Sequence, residues 1–175
     1  MKKGIAASKG YAIGTVFIQE HEEIIISDAK VSDIAAEKEK LSKALAQSKE
    51  QLEAIKEKTA KEIGEHEAQV FEAHLMLLDD VEFTGQMEMT IENDQLNAMK
   101  AVQNVTDTFV MIFDSMDDPY MRERAADIKD VSNRIIANLA GKGGNGMENV
   151  GANTVVVAHD LTPSDTATTI CFLVF

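Results

Sequence analysis

The sequence predicts a mainly α-helical protein in which a multi-helix domain is inserted into a partial, truncated α/β domain. Three observations carry that reading. Short β-branched runs lie near both ends of the 175 residues. Between them, apolar residues recur at sums of three and four, the helical period. A glycine-rich segment, Gly141-Lys142-Gly143-Gly144-Asn145-Gly146, marks the return from one pattern to the other. The expected boundaries are 1–28 for the first strands of the α/β domain, 29–143 for the helical domain, and 144–175 for the α/β continuation, truncated.

Val16-Phe17-Ile18 and Ile24-Ile25-Ile26 read as strands, with Gly10 and Gly14 punctuating turns. From about Ser32 the period changes. Ile34, Leu41, Leu45, Leu52, Ile55 and Ile63 form a narrow stripe on a long amphipathic helix that stops at Gly64, a pattern suited to an antiparallel helical hairpin. A second helix is expected from about Glu65 to Asp79. Its run Leu75-Met76-Leu77-Leu78 covers nearly a full turn, so some of these apolar side chains must face outward. A short third helix holds Val81, Met87 and Ile91.

The fourth helix places Ala98, Val102, Val105, Phe109, Ile112, Phe113 and Met116 on one face. Asp118 then serves as N-cap and Pro119 as the first residue of the fifth helix. Ile128, Val131, Ile135 and Leu139 point inward there, and Gly141 ends it. The glycine-rich stretch lacks the Gly-Lys-Ser/Thr spacing and the preceding strand of a phosphate loop, so it reads as a linker. Thr154-Val155-Val156-Val157-Ala158 reads as a buried strand.

Composition bounds the function. Apolar residues make up 45% and charged residues 27%, as in globular domains. No stretch reaches the ~20 apolar residues that span a bilayer, and the N-terminus turns polar at Ser8 and Lys9 instead of forming an apolar signal region. The single cysteine, Cys171, excludes an internal disulfide and favours a cytoplasmic home. One cysteine and four scattered histidines (His21, His66, His74 and His159) build no metal site. A net charge of −13 disfavours nucleic acid and anionic membranes.

The charge is uneven. Between Lys61 and Lys100 there is no Lys or Arg, while ten acids fall in that interval. Such a stretch is either a solvated acidic face or a docking surface for a basic protein.

Four segments, in order, resemble Enzyme I of the bacterial phosphoenolpyruvate-dependent sugar phosphotransferase system. Gly4-Ile5-Ala6-Ala7-Ser8-Lys9-Gly10-Tyr11-Ala12-Ile13-Gly14 is similar to the family's Gly-Ile-x-Ala-Ser-Pro-Gly-x-Ala-x-Gly. Phe71-Glu72-Ala73-His74-Leu75-Met76-Leu77-Leu78-Asp79-Asp80 is similar to Phe-Glu-x-His-x-Met-Leu-Leu-x-Asp. Glu123-Arg124-Ala125-Ala126-Asp127-Ile128-Lys129-Asp130 and Asp160-Leu161-Thr162-Pro163-Ser164 match two further motifs. Lys9 stands where the family has proline, and Val81 and His66 stand where acids are common.

The resemblance implies a helical domain that docks the phosphocarrier HPr, set in a swivelling phosphohistidine domain. It implies an enzyme that passes phosphate from phosphoenolpyruvate through a histidine to HPr in the cytoplasm. The family's Gly-Gly-x-Thr/Ser-x-His acceptor motif is not met before Phe175, so this fragment is expected to dock HPr without a catalytic residue of its own. His159 does not sit in that motif. Magnesium, phosphoenolpyruvate and dimerisation are implied for a C-terminal domain that this chain does not contain. The expected HPr contacts are Glu65, Phe71, His74, Met76, Leu77, Asp80, Glu82 and Arg124, with Arg124 open to an intrachain salt bridge instead. The rival readings are a non-enzymatic acidic helical adaptor and another phosphoenolpyruvate-using phosphotransferase.

Overall fold

The structure is a computed structural model that describes residues 13–19, 24–143, 150–151, 153–159 and 161–168. It divides into two compact units. One is residues 24–143, and the other takes in the described parts of 1–23 and 144–175.

The first unit is helical: α1 (Ile34–Glu62), α2 (Glu65–Asp79), α3 (Val81–Asp94), α4 (Ala98–Asp114) and α5 (Pro119–Leu139). α1 packs on α2 and α5, α4 packs on α5, and α3 lies against α4. The core is built from Leu41 and Leu52 of α1, Phe71 of α2, Phe83, Met87 and Ile91 of α3, Val102 of α4, and Ile128, Val131 and Ile135 of α5. Phe83 meets Phe109 edge to face at 5.2 Å between centroids, an arrangement aromatic pairs prefer.

Helix starts follow short polar side chains. Asp33, Asp80, Asn97 and Asp118 each accept a backbone N–H of the first turn, at 2.8–2.9 Å, which satisfies donors that the helix itself leaves unpaired. At the C-terminus of α5, Gly141 adopts φ 69°, a left-handed conformation that glycine takes without the usual steric cost.

α1 departs from its expected stripe. Ile63 caps the helix and is 59% exposed. Glu37, Ala44, Ser48 and Thr59 are buried instead. Two of these polar residues, Glu37 and Ser48, are satisfied by hydrogen bonds from other helices. Ser48 Oγ receives Asn138 Nδ2 at 2.8 Å, and Asn138 Oδ1 receives Gln51 Nε2 at 2.9 Å. Arg134 Nη1 donates to Gln51 Oε1 at 3.0 Å. Glu37 accepts the Ala98 N–H at 2.8 Å and pairs with Lys40 at 2.5 Å, so a residue in the first turn of α1 caps α4. Burial pushes the Glu37 carboxyl up. The Lys40 and Ala98 hydrogen bonds outweigh that and hold it below the ordinary carboxylate value.

Two further expectations fail in this unit. Ile24-Ile25-Ile26 is not a strand; Ile25 is 91% exposed, and no described strand lies alongside to pair with it. The expected inward face of α4 is not buried at its end: Ile112 is 47% exposed, because α4 continues past Thr106, its last buried residue, and Met116, 37% exposed, lies beyond the end of the helix at Asp114.

In the second unit β1 (Thr15–Ile18) and β2 (Thr154–Val157) pair in parallel, Val16 opposite Val155 and Phe17 opposite Val156. A Cβ at Gly14 would stand 2.3 Å from the Asn153 carbonyl oxygen, so the close backbone approach requires glycine there. α6 (Pro163–Thr168) was not expected. Its start is a capping box, with the Thr162 N–H donating to Asp165 at 3.0 Å and the Asp165 N–H donating to Thr162 Oγ1 at 3.2 Å. The remaining expectations at 1–12, at Gly144-Asn145-Gly146 of the linker, at Asp160 of the last motif and at 169–175 lie outside the described residues.

Candidate functional site

α2 has an inward face and an outward face. Ala68, Phe71, His74 and Leu78 are buried, spaced by three and four as one helix face requires. The surplus of apolar residues faces out: Met76 is 73% exposed, while Leu75 and Leu77 are half-buried. Immediately after, Asp80 caps α3 and Val81, its first residue, is 81% exposed.

The inward face holds a polar contact. His74 is fully buried, its Nε2 3.2 Å from Asp127 Oδ1. Its Nδ1 is 3.8 Å from Asp130 Oδ2, beyond a direct hydrogen bond. Phe71 packs edge to face on the imidazole at 5.7 Å. Asp127 also meets Arg124 Nη1 at 3.5 Å. The Arg124 guanidinium lies over the Tyr120 ring, 5.0 Å from its centroid, and Nη2 donates to the Tyr120 hydroxyl. Asp127 therefore ties α2, through His74, to Arg124 and Tyr120 on the first turns of α5.

This geometry corrects two expected contacts. Phe71 is 1% and His74 0% exposed, so neither offers atoms to a partner in this conformation; they hold α2 in rotation. Arg124 makes an intrachain pair, with Asp127, the alternative the sequence left open for it.

The acidic interval is sorted by the lysines of α1. Lys56 pairs with Glu72 at 2.7 Å, Lys49 with Asp79 at 2.6 Å, and Lys38 with Glu88 and Glu92 at 3.5 and 3.3 Å. Glu65, Glu67, Asp80, Glu82 and Asp94 form no ion pair among the described residues. The three expected rim acids, Glu65, Asp80 and Glu82, are thus among the uncompensated ones. They are not one cluster: Glu65 begins α2 and Asp80 follows its end, about 22 Å apart along a helix of this length.

Exposed apolar residues also gather at the α4–α5 turn: Met111 is 72%, Tyr120 56% and Met121 37% exposed. They escaped the sequence reading, although Tyr120 and Met121 lie off the inward stripe of α5. His66 and His159 are exposed, and His21 lies outside the described residues. Among the described residues no group of three His, Cys, Asp or Glu could hold a metal ion, and no helix is long and apolar enough to cross a membrane.

A family model described as PEP-utilising enzyme, N-terminal, matches residues 3–124. The chain is 46% identical over 168 residues to phosphoenolpyruvate-protein phosphotransferase of Enterococcus faecalis, covering 95% of this chain and 29% of that protein. The Bacillus subtilis protein of the same name is 41% identical over 165 residues. The chain spans 29% of the length of these relatives. Among solved structures, an NMR structure of Enzyme I matches with TM-score 0.84 and 43% identity, over 97% of this chain and 69% of that one. The N-terminal domain of Enzyme 1 - Nitrogen shares the fold at TM-score 0.70 and 21% identity.

Proposed function

Because the chain belongs to the PEP-utilising enzyme N-terminal family, in its Enzyme I branch, we propose that it is the part of a phosphoenolpyruvate-protein phosphotransferase that docks HPr. The longer protein passes phosphate from phosphoenolpyruvate through a histidine to HPr in the cytoplasm, for sugar uptake. The acceptor histidine and the magnesium-dependent phosphoenolpyruvate site belong to parts beyond this chain.

One observation carries the docking reading. At the α2–α3 junction, exposed Met76 and Val81 stand beside Asp80 and Glu82, which no described lysine or arginine neutralises. An apolar centre with an uncompensated acidic rim suits a carrier with a basic, apolar face. Leu77 adds half-buried apolar area on the same helix, and Glu65 places acid at the far end of α2. His74, Asp127 and Arg124 act through orientation, fixing α2 against α5.

Titration calorimetry and stopped-flow mixing of the chain with HPr test this. Met76→Ala is expected to weaken binding by about 2 kcal/mol, mainly through faster dissociation. Glu82→Gln is expected to slow association, and added salt to mask the difference. If both variants bind like the parent at low salt, the dock is elsewhere. If the parent does not bind at all, the adaptor reading takes its place.

A further inference from the structure

Gly85 lies in the interior of α3, where glycine favours the helix less than any residue but proline. Nothing among the described residues requires it. Its φ is not positive, and a Cβ added there would meet no atom within 4 Å. Val81 and Met89, one turn before and one turn after, are 81% and 60% exposed. Residues at this spacing share a helix face. The three line a shallow concavity together with Glu82 and Asp94. α3 thus gives up helix propensity at the one point of an exposed apolar strip where a side chain would stand between its backbone and an approaching body.

The charge around the strip indicates what approaches. Glu82 forms no ion pair among the described residues, Lys30 reaches Asp94 only at its backbone carbonyl, and the sequence has no Lys or Arg from residue 62 to residue 99. We infer that Gly85 is the seat for a basic helix with an apolar ridge, belonging to the carrier of the preceding section, which crosses α3 over the glycine between Val81 and Met89. The inference rests on the docking reading and extends it. It makes Gly85 a determinant of fit through an absent side chain, and moves the contact a full turn along α3 from the junction.

The test uses the opposite signs expected for folding and binding. Gly85→Ala and Gly85→Gln are made in the whole chain, melted by circular dichroism, and titrated with purified HPr. Both are expected to raise Tm by roughly 2–5 °C, because each restores helix propensity without meeting a neighbour. Affinity is expected to fall about tenfold for Ala and further for Gln, because added atoms in a close-packed contact must displace something. Variants that melt higher yet bind like the parent overturn the inference and leave the docking reading standing. A parent that fails to bind overturns both. If Gly85→Gln instead abolishes a concentration-dependent self-association of the parent while carrier affinity is unchanged, the strip belongs to a second copy, and the carrier assignment is wrong.

Discussion

The helical unit and the strand pair use apolar residues in opposite ways. In the helical unit the large ones close on each other: Leu41, Leu52, Phe83, Met87 and Ile91 are fully buried. In the strand pair only Val156 is buried, at 1% exposure, while Val16 is 60%, Ile18 63% and Val157 44% exposed. The residue types differ little. The difference lies in layers. Five helices enclose a core from several sides, whereas the described strands pair only with each other, and a sheet needs more strands or a covering layer to bury its faces. A β-branched run therefore announces a strand without announcing a core.

The largest expected effect tests the closed side of that contrast. Phe83→Ala removes a ring packed on Phe109 at zero exposure and is expected to cost the helical unit about 3–5 kcal/mol in urea unfolding. A loss under 1 kcal/mol would mean the five-helix core is looser than the burial implies.

A smaller effect sharpens the contrast by asking how the helices are joined. Glu37→Ala strips the buried Ala98 N–H of its acceptor and is expected to cost about 1–3 kcal/mol. The carboxyl sits below its ordinary value when folded. Its ionised form therefore contributes stability in full above the ordinary carboxylate range, and that contribution is lost as pH falls through the folded value. Glu37→Gln keeps an oxygen for the N–H but cannot titrate. The stability gap between parent and Glu37→Gln is expected to narrow on acidification, read by urea unfolding from pH 7 to pH 3. A gap independent of pH would remove the ionised carboxylate from the account.

The smallest effect comes from the open side. Val16→Ala in β1 is expected to leave the helical unit's unfolding within about 0.5 kcal/mol of the parent, since the side chain is largely in water already. A loss as large as that of Phe83→Ala would abolish the contrast.

What could be read from sequence follows the same division. The Asp118-Pro119 start of α5 is a local signal, a capping side chain and a fixed φ, and the structure has it at that position; α2 likewise runs from Glu65 to Asp79, behind Gly64. The α1 stripe was only half legible. Ser48 is buried because Asn138, 90 residues away, supplies its hydrogen bond, and no local period encodes a distant donor. His74 is similar: its motif drew it toward the surface, while Asp127, 53 residues on, holds it inside. The exposed end of α4 was misread because an apolar face does not disclose where its partner helix stops. By contrast, the start of α6 is encoded locally, in the Thr-Pro-x-Asp capping signature of Thr162-Pro163-Ser164-Asp165.

The parallel pairing of β1 with β2 has a consequence in time. The whole helical unit lies between the two strands in sequence, so on the ribosome β1 emerges long before β2. At synthesis rates of ~5–20 residues per second the wait is on the order of ten seconds, against the microseconds to milliseconds in which helical domains rich in local contacts fold. Throughout that interval Val16, Phe17 and Ile18 wait for β2, the strand they pair with among the described residues. The nascent chain thus carries a finished helical body while β1 still waits for β2, and a strand edge awaiting its partner is open to chaperones or to a neighbouring chain on the same polysome.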